Sequence, residues 1–151
     1  MAECKNIMVY VETAEGNPVK VGLEMLSPAK KLADKVTAVV IGGGVADAAK
    51  EVAKAGADQV ICVDSEDYKE FNLDAYAQVL VELVKEENPE AVFVGGTQDG
   101  KDIAPVVAAK CNTGCASDVL DIKAEDGEVI YTCPLYGGTV LEDVKIKTTP
   151  Q

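Results

Sequence analysis

The chain is 151 residues long, 48% of its residues are apolar, and its formal net charge is −12 at pH 7. This length fits one domain, and the apolar content is sufficient for a sizeable core. All 14 basic residues are Lys, so Arg is absent, and the chain has no His either. The acidic charge excludes nucleic-acid binding as an expected function, because phosphate backbones need clustered cations. The two absences remove the commonest general base and the bidentate anion ligand.

Hydropathy predicts no membrane span, because the sequence has no apolar run of about 20 residues. The first segment, MAECKNIMVYVE, lacks a basic region followed by a long apolar core and a small-residue cleavage site. We therefore expect no secretory signal and a cytoplasmic location.

Apolar runs alternate with helical periods along the first two thirds of the chain. The strands predicted in chain order are Ile7–Val11, Val36–Ile41, Gln59–Val63 and Ala91–Val94. The first helix is predicted over Val19–Leu32, and we expect Pro28 to kink or split it near Ser27. Later helices are predicted after the Gly42–Gly44 turn, from Asn72, and after Gly95-Gly96. This alternation predicts a parallel sheet with helices on both faces.

After Cys115 the pattern changes to short β-rich segments joined by tight turns. These segments are DVLDIKA, EVIYTCPLYGG and TVLEDVKIKTT. They predict an antiparallel extension at the C-terminal end of an otherwise parallel sheet. Since no linker or repeat divides the sequence, we expect residues 1–151 to form one three-layer, doubly wound α/β domain.

The cysteines predict neither a metal site nor a redox motif. Cys4 and Cys62 fall in predicted strands, where we expect them to pack as small apolar residues. Cys111 and Cys115 are four residues apart, which is not the spacing of a redox pair or, without further ligands, of a metal knuckle. Without His, no Ser-His-Asp or Cys-His set can be assembled, so no catalytic residue is predicted. The acidic run from Asp64 to Glu70 is interpreted as a solvated loop.

Two glycine-rich junctions between a strand and a helix are candidate nucleotide sites. In the first, IGGGVADAAK, Asp47 stands where a dinucleotide fingerprint needs its third Gly, so a structural turn is expected. The second gives the candidate cofactor-binding loop Gly95, Gly96, Thr97, Asp99, Gly100 and Lys101. It lacks the spacing of a P-loop, although the amides at the following helix start could favour an anion.

Two interpretations of this second loop remain open. Asp99 and Asp102 would repel a bound phosphate, and Lys101 is the nearby compensating charge. Alternatively, Asp99 or Asp102 caps the helix and fills the position that an external anion would need. Capping is the preferred interpretation, and a phosphate site at this loop is expected to be weak.

The whole chain resembles the N-terminal domain, domain I, of the electron transfer flavoprotein alpha subunit. The ordered motifs are IMVYVE, GLEMLSPAKKLAD, VTAVVIGGG and AGADQVICVD. They are followed by a segment similar to the family pattern G-x-T-x-x-G-x-x-x-x-P-x-x-A, which places matches at Gly100, Pro105, Ala108 and, further on, Asp118. YTCPLYGG is similar to the family's R-P-x-Y-x-G-N, but Cys133 replaces the Arg.

This resemblance implies a fold similar to adenine nucleotide alpha hydrolases and an electron-transfer role without catalysis by the chain itself. It implies that the chain alone binds no cofactor, because the family's FAD lies in the later domain II and its AMP on the beta subunit. The implied partners are a beta-type subunit, in a heterodimer, and indirectly acyl-CoA or other dehydrogenases.

Three alternatives remain. One is a stand-alone protein of the same fold that binds or senses an adenine nucleotide, AMP or ATP. Another is a structural module without a ligand. The third, for an isolated chain, is a homodimer through the apolar strand extension.

Overall fold

The computed structural model describes residues 4–151, which form nine strands and four α-helices. The strands are β1 (Cys4–Tyr10), β2 (Thr13–Ala14), β3 (Asn17–Pro18), β4 (Ala33–Gly42), β5 (Gln59–Asp64), β6 (Ala91–Val94), β7 (Asp121–Glu125), β8 (Glu128–Leu135) and β9 (Val140–Val144). The helices are α1 (Lys20–Leu32), α2 (Ala46–Lys54), α3 (Leu73–Glu87) and α4 (Gln98–Lys110).

Four strands form a parallel sheet in the order β5-β4-β1-β6. Its two central strands are continuous β-rich runs, and Ile7, Val9 and Val39 are fully buried in them. Strands covered on both faces have this composition, because each face needs apolar side chains. The four predicted strands and their parallel arrangement are confirmed.

Two apolar layers cover the sheet. Buried residues of α1 and α2 pack on one face, as Leu26 and Val52 do. Residues of α3 and α4 pack on the other, as Leu80 and Ile103 do. The three-layer, doubly wound class is therefore confirmed.

The last three strands form a separate antiparallel sheet, β7-β8-β9, and do not extend the parallel one. Every second residue of β8, namely Val129, Tyr131 and Cys133, is buried in the core that α1 also contacts. The small sheet consequently lies over one face of the parallel sheet. Antiparallel pairing was predicted correctly, but stacking replaces the expected edge-to-edge extension, because this apolar row needs cover.

Helix α1 runs uninterrupted through Pro28, so the predicted split near Ser27 is wrong. Leu26, Ala29 and Leu32 are all buried on both sides of the proline. Their packing against the sheet outweighs the lost backbone hydrogen bond, which costs about 3 kcal/mol in an unsupported helix.

The predicted start of α3 is confirmed, because the Asn72 side chain accepts a hydrogen bond from the Ala75 N–H at 3.0 Å. Cys4 is buried as expected, whereas Cys62 is exposed. Cys62 lies on β5, an edge strand of the sheet among the described residues, where one face is only partly covered.

Candidate functional site

The carboxyl ends of the parallel strands meet at one edge of the sheet. Tyr10 of β1 is in register with Val39 of β4 and Val94 of β6. The segments that follow these strands are therefore neighbours in space. In open parallel sheets this edge is where ligands bind, and it contains both predicted glycine-rich junctions.

Thr97 is the N-cap of α4. Its Oγ1 accepts a hydrogen bond from the Gly100 N–H at 3.0 Å, which satisfies one of the free amides of the first turn. The prediction that Asp99 or Asp102 caps this helix is wrong. Asp102 instead accepts a hydrogen bond from the Gln98 side chain within the helix. A Thr three residues before the bonded amide is the better-placed acceptor, because an N-cap side chain reaches the third helical N–H.

Glu12, two residues after the end of β1, brings a carboxyl group to the start of α4, which also has Asp99 in its first turn. The Thr97 hydroxyl donates a hydrogen bond to Glu12 Oε1 at 2.5 Å. A side chain built on Gly100 would begin 3.0 Å from the same oxygen, so the carboxyl group lies against the first turn of the helix. Glu12 thus lies where an external anion would approach this helix start.

The pKa of Glu12 is raised, chiefly because the carboxyl group is partly withdrawn from water. The Thr97 hydrogen bond acts in the opposite direction, and the nearby charge of Asp99 raises the pKa further. Glu12 therefore sits in a site that stabilises its charge less than water does.

Gly100 is required by the packing of the loop. A Cβ at this position would lie 1.9 Å from the Gly95 carbonyl oxygen, whereas a Cβ on Gly96 would meet nothing within 4 Å. The helix start is therefore pressed onto the end of β6. Only Gly, which has no Cβ, allows two backbone segments to approach this closely.

The cation of the predicted loop does not serve an anion site. Lys101 Nζ lies 2.8 Å from Asp118 Oδ1, in the segment that follows α4. Both partners are about half exposed, so the pair contributes little to stability. The six predicted loop residues are neighbours, but their positive charge is paired elsewhere.

The first glycine-rich junction, between β4 and α2, also has an acidic side chain as an internal hydrogen-bond acceptor. Asp64, the last residue of β5, accepts a hydrogen bond from the Gly44 N–H at 2.7 Å. Asp47 pairs with Lys50 within α2 at 2.8 Å and is exposed. The structural-turn interpretation fits this geometry. The sequence interpretation missed Glu12 and Asp64 as site residues, although each is an acidic residue at the end of an apolar run.

A groove of about 590 Å³ runs beside β6, an edge strand among the described residues. Its wall is mostly apolar and includes Val21, Met25, Val92, Val107, Val119 and Ile146. Gln151 also lines the groove, and its N–H donates to the Glu90 carbonyl while its carbonyl accepts from the Val92 N–H, both at 2.8 Å. Cys111 and Cys115 also line the groove, as free thiols. Burial raises the pKa of Cys111, which keeps its thiol protonated and weakly nucleophilic.

Within residues 4–151 no cluster of three or more Cys, Asp or Glu side chains is arranged to hold a metal ion. The same residues include no helix that is both long and apolar enough to cross a bilayer. The chemistry of this edge is therefore that of acidic side chains bonded to backbone and hydroxyl donors.

Comparison with known proteins identifies the fold family. A family model described as the electron transfer flavoprotein domain matches residues 7–151. The chain is 36% identical over 150 residues to the protein FixB of Clostridium saccharobutylicum, a match that covers 95% of this chain and 45% of that protein. It is 38% identical over 142 residues to the electron transfer flavoprotein subunit alpha of Syntrophomonas wolfei, covering 94% of this chain and 45% of that subunit.

A third relative is the acryloyl-CoA reductase electron transfer subunit beta of Anaerotignum propionicum. The identity is 38% over an alignment of 168 residues, covering 93% of this chain and 46% of that subunit. The chain spans less than half the length of these curated relatives. Because the family match covers residues 7–151, which is almost the whole chain, the chain belongs to the electron transfer flavoprotein family and is similar to its alpha subunits, as the motifs predicted.

Proposed function

We propose that this chain is a single alpha-type domain that works as a scaffold in a cytoplasmic electron transfer flavoprotein complex. Its partner is a beta-type subunit, and the complex carries electrons between dehydrogenases, such as acyl-CoA dehydrogenases, and an acceptor. The observation that supports this role is the family match over residues 7–151. The chain contributes structure and contacts, while redox chemistry belongs to the bound flavin.

The residues of this chain do not fit the diphosphate of FAD at either glycine-rich junction. Glu12 lies at the start of α4, and Asp64 takes the Gly44 amide. A phosphate brought to these positions would meet a carboxylate at contact distance. We therefore assign FAD to polypeptide outside residues 4–151 and AMP to the beta-type partner.

The same geometry disfavours the alternative of a stand-alone AMP or ATP sensor. The Gly100 and Gly44 amides already have internal acceptors, Thr97 and Asp64, and Lys101 is paired with Asp118. The chain also has no Arg or His to supply another anion ligand or a general base. We accordingly propose a role as an electron-transfer component without catalysis of its own.

Co-expression with the beta-type subunit encoded in the same genome tests this function. We expect a complex of defined stoichiometry in native mass spectrometry, with flavin absorbance absent from the chain purified alone. A chain that stays monomeric or forms only homodimers beside an abundant, folded beta-type subunit would refute the proposal.

A further inference from the structure

The hairpin formed by β8 and β9 leaves its apolar side chains uncovered. We call residues 134–141, at the turn of this hairpin, the arm. The large hydrophobic residues that are exposed in the described part of the chain lie in the arm or beside it: Leu120, Leu135, Tyr136, Val140 and Leu141. Contact with the core ends at Cys133, which is 7% exposed. Clustering of all such residues at one place marks an interaction surface more strongly than scattered exposure would.

The arm is apolar on both faces. Leu135 is in register with Val140, and Pro134 with Leu141. Because neighbouring residues of a strand face opposite sides, Leu135 and Val140 lie on one face and Leu141 on the other. A flat partner surface would cover only one of these faces. The arm therefore fits a cleft that encloses it from both sides.

The tip of the arm has a strained backbone. Tyr136, Gly137 and Gly138 have φ angles of 50°, 66° and 90°, so three successive residues are left-handed. This conformation is costly for Tyr, and its side chain is 84% exposed and gains nothing from burial. A strained and exposed aromatic residue costs folding free energy. A binding role would explain this cost, because the Tyr136 side chain would then be buried at the centre of an interface.

The surroundings of the arm are acidic. Glu142 is opposite Cys133, and Asp121 is opposite Thr132, beside the apolar row. Neither carboxylate forms an ion pair with the residues that the structure describes, whereas the neighbouring Asp143 pairs with Lys123. With a net charge of −12, a second copy of this chain would bring like charges together around the arm. The complementary surface is positively charged.

We propose that the arm inserts into an apolar cleft of a different polypeptide, with Lys and Arg around its rim, and that Tyr136 is the central contact. This inference rests on the proposed function, in which that polypeptide is the beta-type subunit. The partner's cleft must cover Leu135, Val140 and Leu141 together, and its cations must approach Glu142.

The test measures affinity between the full 151-residue chain and the purified beta-type subunit from the same genome, by biolayer interferometry at two salt concentrations. Tyr136→Asn keeps a residue that tolerates the left-handed backbone but removes the aromatic anchor. Glu142→Lys reverses the charge near the arm. Their controls are Gln78→Ala and Glu86→Lys, which alter exposed residues of α3 on the opposite side of the sheet.

We expect Tyr136→Asn to weaken binding by about tenfold or more while leaving thermal stability unchanged or higher. Glu142→Lys should weaken binding and reduce its salt dependence, and both controls should bind within about twofold of wild type. Wild-type binding with no loss in either arm variant would overturn this inference and leave the proposed function intact. A failure of the wild-type chain to bind would overturn both. Dimerisation of the chain through the arm would overturn the choice of partner.

Discussion

The hydroxyl group of Thr97 links Glu12 to the first turn of α4, because it donates to Glu12 Oε1 at 2.5 Å and accepts from the Gly100 N–H at 3.0 Å. Glu12 and Thr97 are 85 positions apart in the chain and meet through the pairing of β1 with β6. One side chain thus serves as helix cap and as hydrogen-bond donor to the acidic residue that fills the anion position.

Replacing Thr97 by Val should destabilise the fold by about 1–2 kcal/mol, because it removes the cap and leaves Glu12 without its donor. Thr97→Ser keeps both hydrogen bonds and should stay within about 0.5 kcal/mol of wild type. Urea unfolding at neutral pH measures both free energies of unfolding. Equal stabilities of the Val and Ser variants would show that the hydroxyl group contributes nothing.

Glu12→Gln should stabilise the protein increasingly as the pH rises above the ordinary Glu pKa of 4.5. Since burial raises the pKa of Glu12, the folded state holds the proton more tightly than the unfolded chain does. The charged form therefore costs folding free energy, and this cost develops as the pH rises through the interval above 4.5.

Urea unfolding of wild type and Glu12→Gln from acid to neutral pH gives the stability difference between them. Glu86→Gln, on the exposed side of α3, corrects for the loss of one negative charge from an acidic protein. A difference that shrinks or reverses between acid and neutral pH would contradict the assignment of a raised pKa to Glu12.

Gly100→Ala should destabilise the protein by about 3 kcal/mol or more, or prevent folding, because the new methyl group overlaps the Gly95 carbonyl oxygen. Gly96→Ala is the matched control. Its Cβ would enter open space, so we expect a change within about 0.5 kcal/mol. Circular dichroism and thermal unfolding compare the two variants. Similar stabilities would mean that α4 does not press against the end of β6 in solution.

Much of the fold could be predicted from local patterns. The runs at Val36–Ile41 and Gln59–Val63 are strands in the structure, and Asn72 caps α3, because each depends on neighbouring residues only. The predicted split at Pro28 was wrong because the packing that holds α1 together comes from the sheet, which is not visible in the sequence of the helix.

The filled anion position could be predicted only in part. An acidic group at the start of α4 was expected, but Asp99 and Asp102 were chosen because they are close in sequence. Glu12 reaches that position through the register that places Tyr10 beside Val94. Likewise, the place of the last three strands depends on how the row Val129, Tyr131 and Cys133 is covered. Both placements depend on tertiary structure, because they follow from the order and register of the strands and not from local sequence patterns.

The central claim, that carboxylates fill the nucleotide-like junctions, is tested most directly by titrating the labelled 151-residue chain with AMP and then ATP in amide correlation NMR spectra. We predict no saturable shift of the Gly96, Gly100, Lys101 or Gly44 amides up to about millimolar nucleotide, which corresponds to binding weaker than about −4 kcal/mol. Saturable shifts of these amides at micromolar nucleotide would contradict the claim and would favour a nucleotide-binding protein of the same fold.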